Sequence, residues 1–450
     1  MSNPVILTSS DRGLKMKMRE SMNRIRNKTQ HTTARFLIAT MFLFLSASVP
    51  SAKAQDGLTE ARQDFQTQLT ETRQEDRPLD PPPADIFSLV EYQSPVGPMQ
   101  AYLSVHPDIE PGERRPAIIW LSGGFPAARG GSGIWTMTAV ENDQSASAYR
   151  NEGVVMLVPT VRGTADNPGN QEAFFGEVDD VLAAAEYLRS LPIVDPDRII
   201  LGGHSTGGTL ALLVAESTDL FSAVVAFGPV ARVTDYGGIT WPFDPTNPKE
   251  VKLRSPLYFL DAISTPTLVV EGERGNIEDL TLLEETSDNP NIHFVLLKEE
   301  DHFTPLAPVN RWLARMAMHS KDEDLHFDAD TVHAVAQSFY RAQREARDLR
   351  ILAEIRADGA ELGESETLKF YCILRTASRL DSVQSAFSNF TPGQVTEHTD
   401  ANNRHFLILR WHRTLTLTPQ EIFDASAEFL AACRTAWVQD QGWDLAADNP

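Results

Sequence analysis

The run Gly202-Gly203-His204-Ser205-Thr206-Gly207-Gly208 contains a G-x-S-x-G motif between an apolar strand pattern and an apolar helix pattern. A serine on so tight a corner is tolerated only where its flanking positions carry no side chain, and Gly203 and Gly207 meet that need. The Ser205 hydroxyl then projects from the carboxyl edge of a sheet, beside the N–H groups that open the helix, as attack on a carbonyl carbon requires. Such attack creates an oxyanion that needs amide donors. The expected donors are the N–H of Thr206 and that of Gly124 or Phe125, in the loop Ser122-Gly123-Gly124-Phe125-Pro126 that follows the strand ending at Trp120-Leu121. A base is needed as well, on a loop after a later strand. Of the eleven histidines only His302 stands so, in Lys298-Glu299-Glu300-Asp301-His302-Phe303 after the run Phe294–Leu297. His204, next to the serine, is expected to be packed, and His106, His293, His405 and His412 read as strand-associated. No spacing of the H-E-x-x-H kind occurs, so neither a metal nor an organic cofactor is expected.

These residues depend on a sheet to place them. Short apolar runs recur at Leu89–Tyr92, Met99–Val105, Ala117–Leu121, Val154–Val158, Ile199–Leu201, Ala223–Phe227, Thr267–Val270 and Phe294–Leu297, with helical patterns between most of the later ones. Val178, Val181, Leu182, Ala185 and Leu188 fall on one face of such a helix. Strands alternating with helices imply a mostly parallel sheet covered on both sides. Between Val233 and Pro256 an irregular stretch holding Trp241, Pro242 and Phe243 reads as a small lid or a long surface loop. The charged segment Ser320–Asp330 marks a domain boundary, with a second domain over 331–450. There the pattern gives a helix over Thr331–Ala357, strands at Leu368–Leu374, Val395–His398 and Phe406–Leu417, and a helix over Leu380–Asn389. A capping box at Thr418-Pro419-Gln420-Glu421 opens a last helix to about Val438. This part is expected to be small and α+β.

Composition narrows the partners. A formal charge of −22 over 450 residues argues against nucleic acid and anionic membranes, since tracking phosphates takes clustered Lys and Arg. The one basic stretch, Lys15–Arg35, precedes an apolar run Phe36–Val49 and the small-residue site Ser51-Ala52-Lys53-Ala54, the order of a secretory signal peptide. Residues 1–54 are therefore expected to direct export, to the periplasm or the outside, with cleavage near Ala54. Residues 55–85, polar and holding Pro81-Pro82-Pro83, read as a linker. The two cysteines, Cys372 and Cys433, could pair in an oxidising compartment or remain buried thiols.

The motifs over residues 87–319 resemble the α/β-hydrolase fold, and within it the catalytic domain of prolyl oligopeptidase-like serine peptidases and esterases. Besides the elbow, the similarity includes Pro159-Thr160-Val161-Arg162-Gly163, the run Asp180–Leu188, Val194-Asp195-Pro196-Asp197-Arg198, Ser255-Pro256, Thr265-Pro266 and Asp301-His302. The resemblance implies an eight-stranded, mostly parallel sheet and an acyl-enzyme route for an ester or peptide-like amide, in a small molecule or short peptide. It also implies an acid in a G-x-x-D segment, but here Glu271-Gly272-Glu273-Arg274-Gly275 puts Gly275 at the expected aspartate. Glu273 is the favoured substitute, with Glu278, Asp279, Asn276 and Asp235 as alternatives. Arg162 and Arg129 are near enough to meet a substrate carboxylate, though Arg162 fits better as a loop brace. No β-propeller is expected before the domain. The C-terminal part, about Asp348 to Trp443, resembles the ribonuclease E inhibitor B family through the helix ending at Gly359, the strand Lys369-Phe370-Tyr371 and Gly442-Trp443; from this only a fold is inferred. The alternative to an enzyme is a hydrolase scaffold that binds without catalysis, its C-terminal domain taking a protein partner.

Overall fold

The computed structural model describes residues 57–136, 138–319, 327–357, 359, 361–374, 380–399, 405–436 and 439–445. The expected export segment lies outside them. No helix among the described residues is long and apolar enough to cross a membrane.

Eight strands form one sheet: β1 (Phe87–Ser94), β2 (Gly97–Ser104), β3 (Arg115–Leu121), β4 (Val155–Pro159), β5 (Val194–His204), β6 (Ala223–Phe227), β7 (Thr267–Gly272) and β8 (Ile292–Leu297). Their order is β1-β2-β4-β3-β5-β6-β7-β8. β1, β2 and β4 pair antiparallel, and every pair from β4 to β8 is parallel. The central strands β3, β4, β6 and β7 are buried along their whole length, because helices cover both faces. On one face Val178, Val181, Ala185 and Leu188 of a helix at Glu177–Ser190 join the helix Thr206–Ala215 in one apolar cluster. On the other, Leu306, Val309, Leu313 and Ala317 of the helix Leu306–His319 join a second cluster. The α/β-hydrolase architecture read from the sequence is the one observed.

Residues 57–80 are not the linker that their polarity predicts. They form a strap along the sheet domain, opened by α1 (Leu58–Arg62). Leu58 is fully buried, and the Leu58 amide donates to Glu216 O at 3.2 Å. Arg62 pairs with Asp179, Thr67 and Gln68 donate to the carboxylate of Glu250, and the Thr70 amide donates to Pro242 O. Polar residues are held here by polar partners, a signal that hydrophobic patterning does not carry.

The strap ends against a buried cluster of charges. Arg162 donates from Nε and Nη2 to the two oxygens of Asp180, both at 2.9 Å, and from Nη1 to Glu172. Burial works against the Arg162 charge, but hydrogen bonds to and the charge of Asp180 outweigh it. A Cβ at Gly176 would lie 1.8 Å from Arg162 Nη1, so any side chain there would push the guanidinium off its carboxylates. Arg162 is thus a brace and is not free for substrate, while Arg129 pairs with Glu75.

The C-terminal part has its own four-stranded antiparallel sheet, in the order β10-β11-β9-β12. Its strands are β9 (Ser365–Leu374), β10 (Thr391–Thr399), β11 (His405–Thr416) and β12 (Gln439–Leu445), of which β12 is not evident from the sequence pattern. Three helices accompany it: α8 (Ala329–Ala357), α9 (Leu380–Ala386) and α10 (Pro419–Ala436), numbered after α2 (Ala148–Asn151), α3 (Glu177–Ser190), α4 (Thr206–Ala215), α5 (Pro248–Lys252), α6 (Ile277–Thr286) and α7 (Leu306–His319). Phe370, Phe387, Phe390, Trp411, Phe429 and Trp443 build the core. Cys372 and Cys433 are both buried there and are not joined by a disulfide, the second of the two readings the sequence leaves open. The boundary expected at Ser320–Asp330 is not a clean one. Phe327, Val332 and Ala336 belong to the hydrolase core, whereas Leu352 and Ile355, at the far end of the same α8, belong to the C-terminal core. The described residues all fall in one compact unit.

Glu177, at the start of α3, is 3% exposed; its Oε1 accepts the Glu172 amide at 2.7 Å and its Oε2 has no partner among the described residues. Burial, with the Glu172 charge adding, pushes its pKa from 4.5 up to about 7. A folded pKa above the unfolded one means stability that is full below pH 4.5 and is lost as pH rises through 7. Glu177→Gln is expected to melt progressively higher than the parent between pH 5 and pH 8; a melting-temperature gap that does not change with pH would show Glu177 already ionised in the fold.

Candidate active site

Ser205 stands between β5 and α4 with φ 56° and ψ −116°, a left-handed conformation that a non-glycine residue adopts only when its surroundings enforce it. The surroundings do so. The Ser205 amide donates to Phe227 O at 2.7 Å and the Thr209 amide donates to Ser205 O at 2.9 Å. A Cβ at Gly203 would lie 2.2 Å from Gly207 O, and one at Gly207 only 2.0 Å from Leu121 O. The motif glycines are therefore required by backbone packing against each other and against β3.

The loop after β3 faces this corner. Gly124 has φ 99°, open to glycine, and its carbonyl accepts from Thr206 Oγ1 at 2.6 Å, which ties the loop to the first residue of α4. Among the described residues the amides of Gly124, Phe125 and Thr206 make no hydrogen bond. Donors at a helix start and in a glycine loop, left unspent beside a strained serine, suit a developing negative charge. The Phe125 ring is set among Phe174, Tyr236 and Trp241, with centroids 5.0 to 6.1 Å away.

His302 and Ser205 line one cavity of about 290 Å³. The ring Nδ1 of His302 lies 2.9 Å from Glu271 Oε2. Glu271 is 1% exposed, and its other oxygen accepts the Gly272 amide at 2.7 Å. The carboxylate on the imidazole is thus Glu271, and the expected Glu273 is corrected. Glu273 is exposed, and its Oε2 accepts the Glu299 amide at 3.0 Å. Asn276 donates to Gly228 O, Asp279 accepts the Ala231 amide and Asp235 the Arg232 amide, while Glu278 is exposed. Asn276, Asp279 and Asp235 line the cavity without holding His302.

The glycine at 275 explains the shift. A Cβ there would lie 2.2 Å from Glu271 Oε1, and one at Gly228 would lie 2.5 Å from Glu271 Oε2 and 2.4 Å from His302 Cε1. The space an aspartate at 275 would fill is taken by a longer side chain reaching in from the end of β7. One sequence signal was present: Glu271 is the lone charge closing the otherwise apolar strand Thr267–Val270.

His204 is buried, as expected, and its Nε2 donates to His302 O at 3.2 Å. Burial, and then the nearby His302, lower its pKa to about 3, so it stays neutral and serves as a prop beneath the His302 loop. The segment after Val233 overhangs the site: Tyr236, Gly237 and Ile239 line the cavity of Ser205, and Ile239, Trp241 and Pro242 line a neighbouring one of about 330 Å³ with Phe125 and Phe174. Among the described residues no group of three or more His, Cys, Asp and Glu side chains could hold a metal ion.

Residues 141–276 match the prolyl oligopeptidase family. An uncharacterized protein of Mycobacterium tuberculosis is 29% identical over 167 residues, 36% of this chain and 59% of that protein. The uncharacterized peptidase YtmA of Bacillus subtilis is 27% identical over 156 residues, 30% of this chain and 59% of its own. The chain therefore spans 59% of the length of these relatives. Among solved structures, acylaminoacyl peptidase of Pyrococcus horikoshii is similar with a TM-score of 0.44 and 16% identity, covering 55% of this chain and 44% of that one. The sheet order and the elbow give the α/β part of this chain the α/β-hydrolase fold, and the segment around Ser205 is similar to the prolyl oligopeptidase family.

Proposed function

We propose that this protein is a serine hydrolase that cleaves an ester or peptide-like amide bond through an acyl-enzyme. The family match supports a hydrolase of peptide or ester bonds. The observation that carries the reading furthest is the carboxylate of Glu271 on His302 Nδ1, because it supplies the part whose absence would favour a scaffold that only binds. In this reading Ser205 Oγ attacks the substrate carbonyl carbon as His302 Nε2 takes its proton. The amides of Thr206 and of Gly124 or Phe125 receive the oxyanion. Glu271 fixes the imidazole tautomer and stabilises the imidazolium. His302 then returns the proton to the leaving group, and water releases the acyl group from Ser205 by the same path. The flanking aromatic cavities fit a small apolar acyl or leaving group, in a small-molecule ester or a short peptide.

A fluorophosphonate probe is expected to label the protein, and Ser205→Ala and His302→Ala are expected to abolish labelling; a folded parent that stays unlabelled would remove the hydrolase reading. Glu271→Ala is expected to lose on the order of 10³ to 10⁴ in kcat, while Glu273→Gln keeps near-parental activity. Adding Gly275→Asp to Glu271→Ala should recover part of the loss, since the first change vacates the space that the second fills. Recovery that fails, together with a Glu271→Ala variant of full activity, would refute Glu271 as the acid.

For the N-terminus we propose export. Edman sequencing of the protein from its native host is expected to begin near Gln55, and a chain beginning upstream of residue 36 would contradict cleavage.

A further inference from the structure

We infer that helix α8 and the C-terminal domain are part of the active-site framework: through Tyr340 and Arg434 they hold the loop that carries His302. This rests on the hydrolase reading for its meaning, but its geometry stands apart.

The loop Lys298–Thr304 is irregular and internally strained, with Glu299 at φ 64°. From the hydrolase side it is held by the Glu299 amide donating to Glu273 and the Arg274 amide donating to Glu300 O at 3.0 Å. Asp301 caps the amides of Phe303 and Thr304 at 2.9 and 3.0 Å. The Arg274 side chain also donates to Glu299 O and His204 Nε2 to His302 O, so these contacts hold the loop mainly by its backbone. Two residues from later in the chain add to these. Tyr340, on α8, donates its hydroxyl to Thr304 O at 2.6 Å. Arg434, near the end of α10, spreads its guanidinium over Glu299 Oε2 at 3.1 Å and Glu300 Oε1 at 3.2 Å. His302 lies between these two anchors, two residues from each of Thr304 and Glu300.

A role in placement fits better than a role in bulk stability. Arg434 is a quarter exposed and Glu299 more than half, so the outer pair adds little to overall stability. Glu300 differs, being 7% exposed, and Arg434 is the larger of the two positive charges, with Arg274, that partly offset its burial. Misplacing a general base by about 1 Å costs on the order of 10² in rate, so contacts too weak to matter for folding are strong enough to matter for this loop. Tyr340 and Arg434 are accordingly positioning residues, and the appended domain cannot be neutral toward the chemistry.

The test uses the full chain carrying Tyr340→Phe, Arg434→Gln, both together, and Arg434→Lys. It reads labelling rate by a fluorophosphonate, kcat and KM on a p-nitrophenyl ester, and amide hydrogen exchange of residues 298–304. The double variant is expected to lose about 10- to 100-fold in labelling rate and kcat. KM should stay near the parent's, with Arg434→Lys recovering part of the loss. Exchange should quicken in 298–304 and stay unchanged in β5 to β7. Tyr340→Phe removes one hydroxyl and keeps the ring, so it remains informative if Arg434→Gln folds poorly. Parental labelling together with unchanged loop exchange would overturn the inference. An unlabelled parent would defeat the hydrolase reading alone, and the exchange comparison would still decide whether this domain holds the loop.

Discussion

Everything at the site depends on one residue being held where it would not rest by itself. Ser205 occupies a left-handed conformation that costs about 1–3 kcal/mol in a non-glycine residue. The cost is met by close backbone packing: β3, β5, β6 and α4 approach so tightly that side chains at 203, 207 and 208 would each overlap a backbone oxygen. A sheet buried on both faces makes that rigidity possible, since no central strand can slide without breaking both apolar layers. The unspent amides at Thr206 and Phe125 follow from the same corner, one from the helix start that the turn creates and one from the loop that Thr206 Oγ1 holds.

Much of this was legible in the sequence, and the reasons for the failures are physical. The mostly parallel sheet follows from apolar periodicity, the elbow at Ser205 and the loop with His302 from motif and position, and the α/β-hydrolase fold from the resemblance that those motifs carry. Glu271 was hidden because a motif-based reading looks for a fixed offset, whereas the imidazole needs only an oxygen at the right place. A side chain one methylene longer, starting four residues earlier at the end of β7, delivers it, and Gly275 is the trace of that exchange. Residues 57–80 were misread for a different reason. Their fixation comes from Arg62, Thr67 and Gln68 bonding to partners more than a hundred residues away, and local composition says nothing about those. The boundary near Phe327 is blurred because the charged segment leads into α8, whose first turns still belong to the hydrolase core.

The buried charges behind the site show why polar residues are tolerated so deep. Arg162 satisfies Asp180 and Glu172, and Arg254 binds Glu250 while its Nε donates to Glu172 O. Removing a single member would leave its partner charged and dry, which typically costs 3–5 kcal/mol, roughly, in such pairs. The cluster lies next to the aromatic cavity of Phe125, Phe174 and Trp241, and Glu177 belongs to both. A rigid polar lattice behind an apolar pocket fixes the pocket's wall without occupying it.

Helix α8 has 29 residues and a length of about 44 Å, and its two ends are buried in different cores. A helix of this kind transmits torsion and tension without a hinge. A cut that removed the C-terminal domain would pass through a helix already used by the hydrolase core, so each part gives up packing when the other is taken away.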